Sequence, residues 1–244
     1  IEVVQGPIVQ SESTCMQMYE KGEIDFMAQP GWTVPLPDMD RVKKDAKLSK
    51  ELYIAPRLCT YYYGFVNTRK PFDNPVLRKA LSAAIDRQTL IDTLLKGEQK
   101  PAHSFTSPGN FGNAAADMAI APYLVDYKDG LAKARQWMKD AGFPEGDGLK
   151  IRVGHNVSEA HGQIAQAIQS MWKTAFPKID VKIETQELAV YLNTLLPGSP
   201  DANKPDVYRM GWCADYPDAN NWLNEVFNPR AGQNYAKYNN PKFA

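Results

Sequence analysis

Between Asn74 and Gly97 the apolar positions keep a helical period. Leu77, Leu81, Ala84 and Ile85 share one face, and Leu90, Ile91, Leu94 and Leu95 share the next. Asn74 suits an N-cap with Pro75 at the first helical position, Asp86 suits the cap of an adjoining helix, and Gly97 suits its stop. Further helices are predicted over Ser13–Lys21, Met39–Ala46, Leu131–Ala141, Glu159–Ala175, Leu188–Leu196 and near Ala219–Phe227. Gly22 and Gly142 end two of them. Short β-prone runs lie between, at Glu2–Gln5, Ile24–Met27, Leu58–Val66, Ile151–Gly154, Ile179–Thr185 and Val207–Met210. Pro30, Pro35 and Pro37 break the early pattern, Pro101–Asn113 reads as a loop, and Pro197–Pro205 as an irregular linker. Strands alternating with helices predict an α/β domain, a mixed sheet flanked by helices.

Composition narrows the classes of function. With 244 residues, 43% of them hydrophobic, the chain is long enough to bury a core of its own. Lys plus Arg and Asp plus Glu both number 28. No basic excess points to nucleic acid or to a membrane surface. No apolar run approaches the roughly 20 residues of a membrane-crossing helix. The opening residues do not read as a signal peptide. The charged run Arg41–Lys50 reads as a solvated helix face.

The chemistry concentrates after Val207–Met210. In open α/β sheets, ligands sit beyond the carboxyl ends of strands. The run from Arg209 to Pro217 holds a cation, an anion and aromatic rings, groups that suit a zwitterionic ligand. No GxSxG, HExxH, GxGxxG or GxxxxGK[ST] occurs, so the usual signatures of acyl transfer, zinc proteolysis and nucleotide binding are missing. His155 and His161 are spaced so that they do not share one helical face, which leaves no metal site to propose, and no cofactor is called for. Asn156-Val157-Ser158 matches a glycosylation sequon, a short motif that also arises by chance. Cys15, Cys59 and Cys213 form no CxxC pair. They read as small buried thiols, with room for one disulfide and one free thiol.

Four stretches resemble the extracellular solute-binding proteins that serve peptide and nickel importers. Tyr19–Asp25 (YEKGEID) is similar to that family's turn into a strand, and Arg78–Asp92 (RKALSAAIDRQTLID) to its signature helix. Leu58–Tyr63 (LCTYYY) and Gly211–Asp215 (GWCAD) resemble segments of its oligopeptide-binding subgroup. The resemblance implies one lobe of a type II periplasmic-binding-protein-like fold, residues 1–244 forming a single contiguous lobe whose partner lobe lies outside this sequence. It implies a binding role without catalysis: an extracytoplasmic component of an ABC importer that holds peptides by their main chain. The implied partners are an oligopeptide and the permease subunits of the importer, with no nucleic acid, and the implied state is monomeric. The implied location is the periplasm or the cell exterior, with a lipid anchor on the full-length protein left open. The same fold also serves non-peptide ligands such as nickel chelates, haem or sugars, and sensors.

The resemblance also assigns residues. Asp215 corresponds to an aspartate that pairs with a ligand's α-ammonium; its bland role is a cap of the turn that follows. Arg209 corresponds to an arginine that receives a peptide carboxylate, against an ordinary ion pair. Trp212 corresponds to a side-chain pocket wall, against a core tryptophan. His161 corresponds to a histidine near the ligand's C-terminal end, against an exposed residue at a helix start. Tyr62 lies in the matching tyrosine run, one hydroxyl of which is expected to face the cleft. Cys59 and Cys213 fall on cysteines that are bonded in the family, which implies a disulfide and an oxidising compartment and leaves Cys15 as a buried thiol. Two positions depart from the oligopeptide-binding pattern. Leu188 replaces a pocket tryptophan, and Leu195 an arginine that meets longer peptides, followed by an extra polar stretch, Gly198–Lys204.

Overall fold

The computed structural model describes residues 2–9, 11–27, 33–55, 57–113, 122–124 and 126–243. Among them, Lys150–Asn156 (β2) leads into the long helix Glu159–Ala175 (α7), which returns to Asp180–Gln186 (β3). β2 and β3 run parallel in unbroken register from Lys150↔Asp180 to Asn156↔Gln186. Helix Leu188–Leu195 (α8) and the linker then deliver Val207–Cys213 (β4), parallel to β2. The aromatic strand Cys59–Phe65 (β1) closes the other side of β4, antiparallel along its whole length. The sheet order is β1-β4-β2-β3, the mixed α/β sheet that the pattern predicts.

Local chemistry sets the helix limits. Asn74 Oδ1 accepts from the Val76 N–H at 2.9 Å, and Pro75 opens the helix Pro75–Ala83 (α4). Asp86 accepts from the Thr89 N–H at 2.9 Å and starts Arg87–Leu90 (α5). That helix runs into a wider turn, Ile91–Leu95, and stops at Lys96 (φ 53°), one residue before the expected Gly97. Asp126 caps Tyr127–Asp140 (α6), so this helix starts ahead of the predicted Leu131. α4, α6 and α7 cover one face of the sheet. Leu77, Leu81, Met138, Ile151, Val153, Ile168, Trp172 and Val207 form the core between them. Trp172 is 1% exposed, and its indole N–H donates to the Leu81 carbonyl at 2.8 Å. Truncating such a residue to alanine costs about 3–5 kcal/mol. On the opposite face α8 packs Tyr191 and Leu195 against Val66, Tyr208 and Tyr235. Gly64 is required here, because a Cβ would lie 2.3 Å from the Tyr208 ring.

The early part of the chain is the least regular. Glu12–Glu20 (α1), Met39–Lys44 (α2) and Leu48–Glu51 (α3) pack a small cluster of Met16, Val42 and Leu48. The predicted strands Glu2–Gln5 and Ile24–Met27 are not strands. An extended segment needs a neighbour to complete its hydrogen bonds, and neither has one among the described residues. Pro30, taken as a breaker, lies outside the described residues. Helix Ala219–Phe227 (α9) follows β4 and folds back against its end.

Candidate functional site

β2 and β4 pair only at Val153↔Val207 and Gly154↔Tyr208, and then part toward their carboxyl ends. The Tyr191 hydroxyl lies in the opening, 2.9 Å from the Gly154 carbonyl and 2.8 Å from the Arg209 carbonyl. β4 nevertheless continues to Cys213, past the expected Met210, because β1 pairs with it to the end. Arg209 and Trp212 are therefore strand residues, and only Asp215 lies beyond the strand.

Pairing Tyr63 with Arg209 and Tyr61 with Gly211 puts Tyr61, Tyr63 and Arg209 on the α7 face. There the Arg209 guanidinium lies 4.4 Å from the centre of the Tyr61 ring. Its Nη1 donates to Asn156 Oδ1 at 3.2 Å, while its buried Nε finds no acceptor. No carboxylate pairs with it among the described residues. His161, in the first turn of α7, brings Nδ1 to 3.4 Å from the Tyr61 hydroxyl. Burial pushes the His161 pKa down to about 3, helped by the Arg209 charge and by His155. His161 is thus a neutral imidazole at any physiological pH. Burial raises the Tyr61 hydroxyl's pKa, and Arg209 opposes the shift.

Trp212 and Tyr62 take the opposite face. Tyr62 packs half-buried against Phe105, ring centres 5.0 Å apart, and Tyr208 at 6.3 Å. Within the tyrosine run it is Tyr61 that meets Arg209 and His161. Trp212 is half-buried, and its indole N–H donates to Asn221 Oδ1 at 3.0 Å. The same oxygen accepts from the Asp215 N–H at 3.2 Å, and Asn221 Nδ2 donates to Asp215 Oδ2 at 3.1 Å. Asp215 is exposed, with its carboxylate at the tip of β4. It does not cap α9; Asp218 does, accepting from the Asn220 N–H at 2.8 Å.

The five residues singled out from sequence thus fall into two groups, Arg209 with His161 and Trp212 with Asp215, with Tyr62 on the Trp212 face. Three partners escaped the sequence reading: Tyr61, Asn156 and Asn221. Asn156 carried a signal of another kind, the sequon. It is 9% exposed and its amide serves Arg209, so the folded chain does not offer it for glycosylation. Among the described residues no three His, Cys, Asp or Glu side chains gather to hold a metal ion, and no helix is long and apolar enough to cross a membrane.

Residues 2–234 match the family of bacterial extracellular solute-binding proteins, family 5, in its middle region. The chain belongs to that family. The periplasmic oligopeptide-binding protein of Haemophilus influenzae is 32% identical over 237 residues, 96% of this chain and 41% of that protein. The crystal structure of the Haemophilus influenzae protein in complex with the peptide RPPGFSPFR superposes with a TM-score of 0.79 at 29% identity, covering 96% of this chain and 44% of the other. The murein tripeptide-binding protein of Escherichia coli does so with a TM-score of 0.79 at 28% identity, over 96% of this chain and 43% of its own. The chain thus spans about two fifths of the length of these relatives. They are solute-binding proteins, not enzymes.

The disulfide that this family resemblance implied is present. Cys59 and Cys213 face each other across β1 and β4 with Cα atoms 4.0 Å apart, and are bonded. Cys15 is a buried free thiol, its pKa raised by burial and by Glu12. The positions that depart from the oligopeptide-binding pattern also find their places. Leu188 is 49% exposed at the start of α8, whereas Leu195 is fully buried under Tyr191 and Tyr208. The extra polar stretch stays at the surface except for its last residue: Lys204 is fully buried and its Nζ donates to the Leu195 and Leu196 carbonyls, capping α8.

Proposed function

We propose that this chain is the ligand-gripping lobe of an extracytoplasmic solute-binding protein that holds short peptides by their main chain and delivers them to an ABC importer. The observation that carries this reading is Arg209. A half-buried guanidinium without a carboxylate partner is costly to keep, and the cost is offset when a ligand supplies the anion. Arginine suits that role because its fork matches a carboxylate. Asp215 offers the complementary group, an exposed carboxylate that makes a strong charge-assisted bond to an ammonium once water is excluded.

The strand between the two anchors suits a peptide backbone. The Ala214 N–H donates to the Leu58 carbonyl. By the alternation of an antiparallel ladder, Gly211 and Cys213 then point their main-chain groups away from β1, toward the side that β2 leaves open, while the Arg209 carbonyl accepts from the Tyr191 hydroxyl. An extended peptide can add there as a strand. Tyr62, Trp212, His161 and Leu188 border the places where its side chains would lie. Closure by a second lobe, outside this sequence, would bury the ligand. Bridging waters would accommodate varied side chains at little cost. In this reading the protein works as a monomer, in the periplasm or outside the cell, with the importer's permease as its partner.

Native mass spectrometry of the complete two-lobed protein, purified without added ligand, tests the reading. Short peptides of varied sequence are the expected passengers. A nickel chelate, haem or sugar in their place would overturn it.

A further inference from the structure

Asn221 has the densest set of contacts near the Asp215 end, and none of them serves the helix it sits on. It is 1% exposed in the first turn of α9, where Asp218 already does the capping. Its side chain turns instead to the end of β4. A carboxamide oxygen has two lone pairs and its nitrogen two hydrogens. Both lone pairs are used, by the Trp212 indole N–H at 3.0 Å and the Asp215 main-chain N–H at 3.2 Å. One N–H is used, by Asp215 Oδ2 at 3.1 Å. The orientation of the amide follows from these partners. Reversed, it would set N–H against N–H twice and carbonyl against carboxylate once.

We propose that Asn221 is a positioning residue that locks the Asp215 carboxylate and the Trp212 indole into one unit. The amine anchor and the neighbouring pocket wall are then presented to a ligand at a fixed separation. This rests on the peptide-binding reading above and adds a residue and a coupling to it. Asp215 Oδ2 is held from the protein side, and Asp215 Oδ1 has no hydrogen bond among the described residues. One oxygen is thus aimed by the fold and the other is free for an ammonium. An exposed carboxylate on a loop otherwise samples several rotamers, and fixing it beforehand removes that loss from the binding step. Because a single amide does both jobs, disturbing Trp212 also disturbs the aim of Asp215.

The test uses the complete protein and two ligands, Ala-Phe-Ala and its N-acetylated form, titrated by calorimetry. The quantity read is the preference for the free amine, the ratio of the two dissociation constants. Asn221→Leu, with the same branched skeleton but bulkier and without polar atoms, is expected to lower that preference by about tenfold or more, the size of a lost hydrogen bond to a charged group. Asn221→Ser, which leaves room for water, covers the case in which the leucine variant does not fold. In an Asp215→Ala background, where the anchor is already gone, neither Asn221 change should lower the preference any further. Trp212→Phe keeps the ring, removes only the indole N–H, and should lower the preference by about twofold to threefold. Equal weakening of both ligands, with the ratio intact in a folded variant, would mean that Asn221 is merely structural and would overturn the proposal. If Asp215→Ala alone left the ratio at its wild-type value, the amine-anchor reading would fall first, and the proposal with it.

Discussion

The Arg209 end and the Asp215 end of the site hold opposite charges by opposite means. The guanidinium is half-buried, lies over the Tyr61 ring and donates to Asn156, and no carboxylate pairs with it among the described residues; the nearby His161, its pKa pushed down to about 3, stays neutral. The carboxylate is exposed and tethered through one buried amide. A charge kept partly out of water without a counter-ion is a standing cost, which a ligand relieves. A charge left in water costs nothing, and it gains strength only when something closes over it. In the proposed reading Arg209 is a prepared socket, and Asp215 a hook that tightens on closure.

The largest effect that would break this contrast lies in the disulfide, which ties the Asp215 end of β4 to β1 across a separation of 154 residues. Replacing Cys59 and Cys213 together by serine is expected to lower stability by up to about 4–5 kcal/mol, the chain-entropy figure for a long loop. The urea midpoint of the complete protein measures it, and an unchanged midpoint would contradict the expectation. Next comes a matched pair of substitutions. Asp215→Asn and Arg209→Met should each weaken a peptide with free ends by about 2–5 kcal/mol, the usual range for one side of a desolvated ion pair. Only their stabilities should differ. Arg209→Met removes an uncompensated half-buried charge, so the empty protein should melt no lower than wild type. If it melts clearly lower, Arg209 is a structural ion that the fold needs.

Much of this site was legible because caps and periods are local. The helices over Glu159–Ala175 and Ala219–Phe227 lie where the spacing put them. Arg209 and Asp215 were found by resemblance, and the fold sets Arg209 within β4 and Asp215 just past its carboxyl end. What stayed hidden depends on register and return. Tyr61 and Tyr62 are equivalent in sequence. Only the pairing of Tyr61 with Gly211 turns the first toward Arg209 and the second toward Phe105. Asn221 had one usable signal, a polar residue beside Trp222 on the buried stripe of α9, where it must find partners. Which partners it finds depends on α9 folding back onto β4, and no local pattern encodes that. The expected strand at Glu2–Gln5 failed for a related reason: strand propensity is present, but a neighbour is not.

A further effect is one of pH. An unfolded histidine takes a proton near pH 6.5, whereas His161 resists protonation down to about pH 3. Between these values the unfolded chain binds more protons than the folded one. The stability associated with neutral His161 is therefore present above about pH 6.5 and is lost as the pH falls toward about 3. His161→Gln should flatten the decline of the urea midpoint across that window. An unaltered slope would mean that His161 charges freely in the folded protein.

The central claim is that two charged ends grip the two ends of a peptide. Calorimetric titration of the complete protein with one peptide in four forms tests it: free, N-acetylated, C-amidated and blocked at both ends. The free form should bind most tightly, each single block should cost on the order of 2 kcal/mol or more, and the doubly blocked form should be weakest. In Arg209→Met the amide should cost nothing further, and in Asp215→Asn the acetyl group should cost nothing further. Equal affinity for all four forms would show that the ends of the ligand are not what this site holds.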